Sequence, residues 1–252
     1  MKTLHLTILC AAAALAALAP SRAEARKVRV VVTSSAYHSI AEYIGGDKVT
    51  VSHIVKGYQD PHIVRPKPSL AVRLSKADVF VATGLDLEMW APALVNMSNN
   101  PRIRSGAKGY VSASAGIKVI EKPVTISRAE GDVHVYGNPH IHTSPLNGKV
   151  VAENIYVGLK KAAPQHAALF ARNLERFKAE VDRRTFGPVL LKILGGKVLT
   201  KLARRGKLIP FLRKKKYKGR ALIDCLGGWM KQALPLRGKK IVSYHKNWGY
   251  FA

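Results

Sequence analysis

Three histidines stand in phrases built largely of turn residues: His62 in QDPHIVRPKPS, His140 in GNPHIHTSP and His245 in VSYHKNWGYF. A neutral imidazole offers one nitrogen lone pair to a borderline-soft cation such as zinc. A site that holds such an ion closed collects about four donors. The first two histidines follow a proline directly, and each of the three lies where a strand or loop gives way to a helix. They are 78 and 105 residues apart (62 to 140, then 140 to 245), so they form no local motif. Either they are polar loop residues among nine scattered histidines, or the fold gathers three loops at one cleft.

The elements that would do so are legible. Residues 28–32, VRVVV, read as a buried strand on their valine enrichment and are followed by a Ser-rich turn and a short helix that Gly45 and Gly46 end. A second strand is expected over Val49–Val55, then a proline-rich loop, a short helix in SLAVRLSKA, a third strand in DVFVATG and a helix in LDLEMWAPALVNMS. Strand and helix alternate, which predicts an α/β fold with a parallel sheet flanked by helices. Ligands of such sheets gather beyond the carboxyl ends of the strands, where the His62 loop is expected to lie. Over GYVSASAGIKVIEKP one or two further strands are expected, and ISRAEGDVHVYG reads as a surface loop.

From residue 147 to 186 apolar positions recur at helical spacing, and Pro164 divides the pattern into two helices. This stretch is long enough to bridge two lobes. Residues 187–238 form a basic segment of two or three short helices punctuated by Gly195, Gly196, Gly227 and Gly228. Residues 239–252 start a new strand over Ile241–Tyr244, reach His245 and begin a helix. The expected division is therefore 1–25 leader, 26–146 N-terminal lobe, 147–186 backbone helix, 187–238 basic helical insertion and 239–252 the start of a second lobe, cut short.

The leader carries Lys2, an apolar run from Leu4 to Leu18, and small residues at Ala23 and Ala25. That is the layout of a secretory signal peptide cleaved after Ala25, and its apolar run is short of the roughly 20 residues that span a bilayer. Cys10 would leave with it, in a context (TILC) that is poor for lipid attachment, and Cys225 would remain as a lone buried thiol. The formal charge is +27, concentrated in Lys201–Arg220 and Leu236–Lys240. In an exported protein such charge points to an anionic membrane surface or an acidic partner rather than nucleic acid, or to a solvated basic face.

No HExxH, GxSxG, P-loop or strand-preceded GxGxxG is present. Asp60, two residues before His62, reads as a loop cap rather than a general base. An enzyme is not expected.

Taken together, DPHIVRPKPS with SKADVFVATGLDLEMW, then GNPHIHTSP, then YHKNWGYF resemble the extracytoplasmic metal-binding receptors of zinc and manganese ABC transporters, in order from about Val28 to Ala252. The resemblance implies two α/β lobes joined by a backbone helix, with the cation between them. His62 and His140 match ligands from the first lobe, and His245 matches the first ligand from the second. Histidine at that third position goes with zinc in this family, a carboxylate with manganese. Zn2+ is therefore the expected cargo and Mn2+ the alternative. The implied partner is a membrane permease, with the receptor periplasmic or extracytoplasmic and monomeric.

Two departures from the family pattern stand out. The basic segment is longer than most members carry, and the usual acidic fourth ligand is expected beyond residue 252. His142 could assist as an alternate ligand, and His134 could belong to a metal-capturing loop. His38 could line the cleft, while His53 and His166 give no sign of a role. The competing reading is a basic exported protein that binds membrane surface or polyanion and has no metal site.

Overall fold

The computed structural model describes residues 26–124, 134–243 and 245–251. The leader, most of the expected surface loop and Tyr244 lie outside these. Four parallel strands, β1 (Val28–Val32), β2 (Val49–His53), β3 (Val79–Ala82) and β4 (Tyr110–Ser112), form a sheet in the order β2-β1-β3-β4. Val30 is in register with Val51 on one side and Val79 on the other. Valine-rich runs suit strands covered on both faces, where every position is apolar rather than every second one. All four residues of β3 are buried.

Helix α1 (Ser35–Gly45) connects β1 to β2, α2 (Pro68–Ser75) leads into β3, and α3 (Ala91–Met97) follows it. The pleat sends Val30, Val32, Val79 and Val81 to one core with Tyr37, Ile44, Ile155 and Phe170. It sends Val31, Phe80 and Ala82 to another with Leu74, Trp90 and Leu94. The result is the expected α/β architecture. The chain reverses its direction of travel across the sheet between β1 and β3. There the buried Glu88 carboxylate binds the ends of both strands: it accepts from Thr33 Oγ1 (2.6 Å), Thr83 N–H (3.0 Å) and Gly84 N–H (3.1 Å).

The helical stretch after residue 144 is α4 (Pro145–Ala162) and α5 (Ala167–Phe186), broken at Pro164 as expected. The two helices fold back on each other. Lys149 Nζ donates to Asp182 Oδ1 at 2.7 Å, and Lys178 pairs with Glu153 at 2.9 Å. Those pairs fix an antiparallel hairpin, which covers one face of the sheet together with α1. Gly158 lies against Val111, where even a β-carbon would collide.

The basic segment folds as α6 (Pro188–Leu194), α7 (Gly196–Arg204), α8 (Leu208–Lys214) and α9 (Gly228–Ala233), with a hairpin of β5 (Lys216–Tyr217) and β6 (Arg220–Ala221). Four helices stand where two or three are expected, and the hairpin is not foreseen. Its core is its own: Phe186, Leu190, Leu199, Leu212 and Leu222. It joins the hairpin helices at a buried polar cluster, in which Lys149 also donates to Thr200 Oγ1 (3.0 Å). Gly228, at φ +59°, passes so close to the Arg184 carbonyl that no side chain fits.

The expected strand and helix at the end of the chain are not formed. Residues 241–243 join no strand; Ile241 and Val242 are exposed. A strand needs a neighbour to take its backbone hydrogen bonds, and none stands beside this stretch among the described residues. After His245 comes a single 3₁₀ turn, Lys246–Trp248, rather than an α-helix.

Candidate metal centre

His62 sits in the long loop that follows the sheet edge β2. Two contacts set its position. Its backbone N–H and its ring Nδ1 both meet Asp60 Oδ1, at 2.9 and 2.6 Å, and Trp90 Nε1 donates to the neighbouring Pro61 carbonyl at 2.8 Å. A carboxylate only accepts, so Nδ1 carries the proton and Nε2 is left with its lone pair facing away from Asp60.

His140 is held in the same manner by a different residue. Asn138 Oδ1 accepts from the His140 backbone N–H and from ring Nδ1, both at 2.9 Å. The Asn138 amide donates to Glu121 Oε2 (2.7 Å) and to the Lys246 carbonyl (2.6 Å), which fixes its oxygen toward His140. Tyr250 Oη donates to the Asn138 carbonyl at 2.9 Å. These bonds dock residues 245–251 against the Asn138 loop and carry His245 into the site. Gly249 allows the approach, because a β-carbon there would stand 2.8 Å from Glu121 Oε1.

His62, His140 and His245 therefore come together, as their spacing alone could not establish. A fourth ring joins them. His134 opens a turn in which Gly137 N–H donates to its carbonyl (2.9 Å), and its Nε2 lies 3.1 Å from His62 Nε2. One ligand atom from each of the four lies within 4.8 Å of the others. The six ring-centre separations run only from 4.8 Å (His140–His245) to 5.7 Å (His134–His245). Four points nearly equidistant from one another are the corners of a tetrahedron. His245 Nε2 is buried with no hydrogen-bond partner, a costly state for a polar atom that lacks a ligand.

Electrostatics favour a neutral His140 ring. Burial, followed by the neighbouring His245, His62, His134 and His142, lowers the pKa of His140 to about 3. Burial also lowers His142. Asp60 is pushed upward by its own burial, but the His62 backbone and ring bonds and the nearby His62 and His245 outweigh this and hold it below the usual range. Two carboxylates, Asp60 and Glu121, thus stand behind the rings rather than among the inward-facing donors.

The other candidates lie apart. His142 is adjacent to His140, ring centres 6.3 Å apart, but outside the group of four. His38 and His53 pair with each other, Nδ1 to Nδ1 at 3.1 Å, and His166 packs edge-on against Phe170. His134 is the member that the sequence-based ligand set lacks. Its signal is faint, a single histidine three residues before a glycine turn, in a stretch with no strand or helix period.

Known metal-binding proteins resemble this chain in sequence and fold. The metal ABC transporter substrate-binding lipoprotein SsaB of Streptococcus sanguinis is 30% identical over 166 residues, covering 64% of this chain and 50% of the relative. The manganese ABC transporter substrate-binding lipoprotein PsaA of Streptococcus mitis is 28% identical over 161 residues, again 64% and 50%. The chain spans about half the length of these curated relatives. Among solved structures, a crystal structure of ZnuA superposes with a TM-score of 0.61 at 25% identity, over 90% of this chain and 66% of that one. A manganese-bound periplasmic metal-binding protein from Candidatus Liberibacter asiaticus gives a TM-score of 0.51 at 25% identity, over 67% and 56%. Residues 30–185, more than half of the chain, match the family model for ZnuA, the periplasmic component A of the zinc-uptake complex, and the chain belongs to that family.

Proposed function

We propose that this chain is a receptor that captures a divalent metal ion outside the cytoplasmic membrane and presents it to the permease of an ABC transporter. It is a transport receptor rather than an enzyme. His62, His134, His140 and His245 are the ligands in this reading, and their tetrahedral convergence is the observation that carries it. Four imidazoles on a tetrahedral zinc ion, with Zn–N of about 2.0–2.1 Å, hold their ring centres about 5.2 Å apart. The observed separations, 4.8 to 5.7 Å, bracket that value. The 3.1 Å between His62 Nε2 and His134 Nε2 is close to the roughly 3.3 Å edge of the same tetrahedron.

Zinc is the cargo that this donor set favours. Neutral nitrogen donors suit zinc, whereas manganese favours carboxylate, carbonyl and water oxygens. Relatives named for manganese and a family named for zinc uptake both match, so the choice rests here on the four rings. Asp60 and Asn138 hold the Nδ1 protons of His62 and His140, presenting both Nε2 lone pairs inward without a conformational search. His140, neutral down to about pH 3, needs to shed no proton to bind.

Calorimetric titration of the purified protein with zinc tests the proposal. One equivalent should bind, and His62→Ala or His140→Ala should weaken binding at least about a hundredfold. Unchanged zinc binding in both variants would refute the assignment.

A further inference from the structure

We propose that the basic helical unit, residues 187–240, is a docking surface for an anionic lipid bilayer. It lies beyond the residues that match the family model and contributes nothing to the histidine cluster, so this inference stands independently of the metal reading.

The charge is extreme and uncompensated. The unit carries sixteen Lys and Arg against a single acid, Asp224. All sixteen are exposed, and among the described residues none of them forms an ion pair with a carboxylate. Elsewhere in the protein exposed cations do find partners, as Arg183 and Arg184 do with Glu180. Like charges held together repel, and an ordered unit that keeps them so is stabilised by an anionic surface.

The unit also holds its charges in place. Its apolar core and the Lys149–Asp182–Thr200 cluster fasten α6–α9 to the rest of the protein. The run Arg213–Lys216 leads into the β5–β6 hairpin, whose two turn residues, Lys218 and Gly219, both have positive φ (+47° and +79°). That is the pattern of a tight type I′ turn. It sets Arg220 across from Tyr217, with Lys218 Nζ 5.7 Å from the ring centre. On α7 the buried Leu199 faces inward while Lys197, Val198, Lys201 and Arg204 face solvent.

Apolar side chains exposed in the same unit favour a bilayer over nucleic acid. Val189, Val198 and Leu236 are between 46% and 57% exposed, and such groups enter the headgroup region while the cations meet lipid phosphates. Single-stranded nucleic acid calls for aromatic rings interleaved with the basic residues, and the basic hairpin offers Tyr217 alone.

Co-sedimentation of the full chain with vesicles tests this. Vesicles containing phosphatidylglycerol should retain the protein at least about tenfold better than pure phosphatidylcholine at low salt, and the preference should collapse at about 0.5 M salt. The triple variant Lys214→Glu, Lys215→Glu, Lys216→Glu should lose most of the binding. So should the double variant Lys197→Glu, Lys201→Glu, which alters a separate element in case the first disturbs the hairpin; thermal melting reports whether each is folded. His62→Ala should bind vesicles like the unaltered protein. Equal retention on the two vesicle types, or folded variants that bind as well as the parent, would overturn the proposal. So would tighter binding to a DNA duplex than to vesicles at equal phosphate concentration and salt.

Discussion

Asn138 and Lys246, 108 positions apart, are joined by a 2.6 Å hydrogen bond from the Asn138 amide to the Lys246 carbonyl. The same Asn138 side chain accepts from His140 Nδ1. One residue therefore orients the His140 ring and anchors the segment that delivers His245. Replacing Asn138 by Ala should lower zinc affinity about 10- to 100-fold, the usual effect of losing a partner behind a metal ligand. Calorimetry measures it. A change below twofold would mean that the segment is held by other contacts.

Trp90 acts one step further away. Its indole N–H is the donor that pins the Pro61 carbonyl beside His62, while its ring is buried in the second core. Trp90→Phe keeps most of the ring volume and removes the donor. Zinc affinity should fall roughly fivefold, in line with a single hydrogen bond of about 1 kcal/mol, with a small loss in thermal stability.

Acid should destabilise the metal-free protein. Burial depresses the pKa of His140 to about 3 in the folded chain, whereas in the unfolded chain its ring titrates near 6.5. The unfolded state thus takes up the proton first, and stability rises with pH wherever it binds more protons. The stabilising contribution is fully present above about pH 6.5 and is lost as pH falls toward 3. Urea unfolding at pH 7.5 and pH 5 checks the sign; His140→Gln should flatten the difference.

The buried pair Lys149–Asp182 joins α4 to α5 and, through Thr200, to the basic unit. Asp182→Ala leaves the Lys149 ammonium buried without its carboxylate, which should cost about 3–5 kcal/mol. Lys149→Met combined with Asp182→Leu removes both charges and should be milder. Denaturant unfolding of the two proteins distinguishes these outcomes.

Much of this was legible in the residues. Valine enrichment over Val28–Val32 gave away a buried strand, and prolines beside His62 and His140 marked loops. Pro164 showed where the long helix breaks, but its direction afterwards depends on charge pairs such as Lys149–Asp182, 33 positions apart, which no local period reveals. His134, weighed only as part of a metal-capturing loop, was left out of the ligand set because it lies in an aperiodic stretch and acquires its place only from contacts. The β5–β6 hairpin was masked by a basic run whose turn signal is a single Lys-Gly. A strand was expected at Ile241–Tyr244 from apolar composition alone, but composition supplies no neighbouring strand. In the proposed site His134 stands as a fourth imidazole beside the three expected from the sequence.

The central claim concerns what surrounds the bound ion, and X-ray absorption at the zinc edge of the one-to-one complex reads that directly. Four nitrogen scatterers at about 2.0–2.1 Å with imidazole outer shells are expected, falling to three nitrogens in His134→Ala. A shell dominated by oxygen, or one that His134→Ala leaves unchanged, would contradict it.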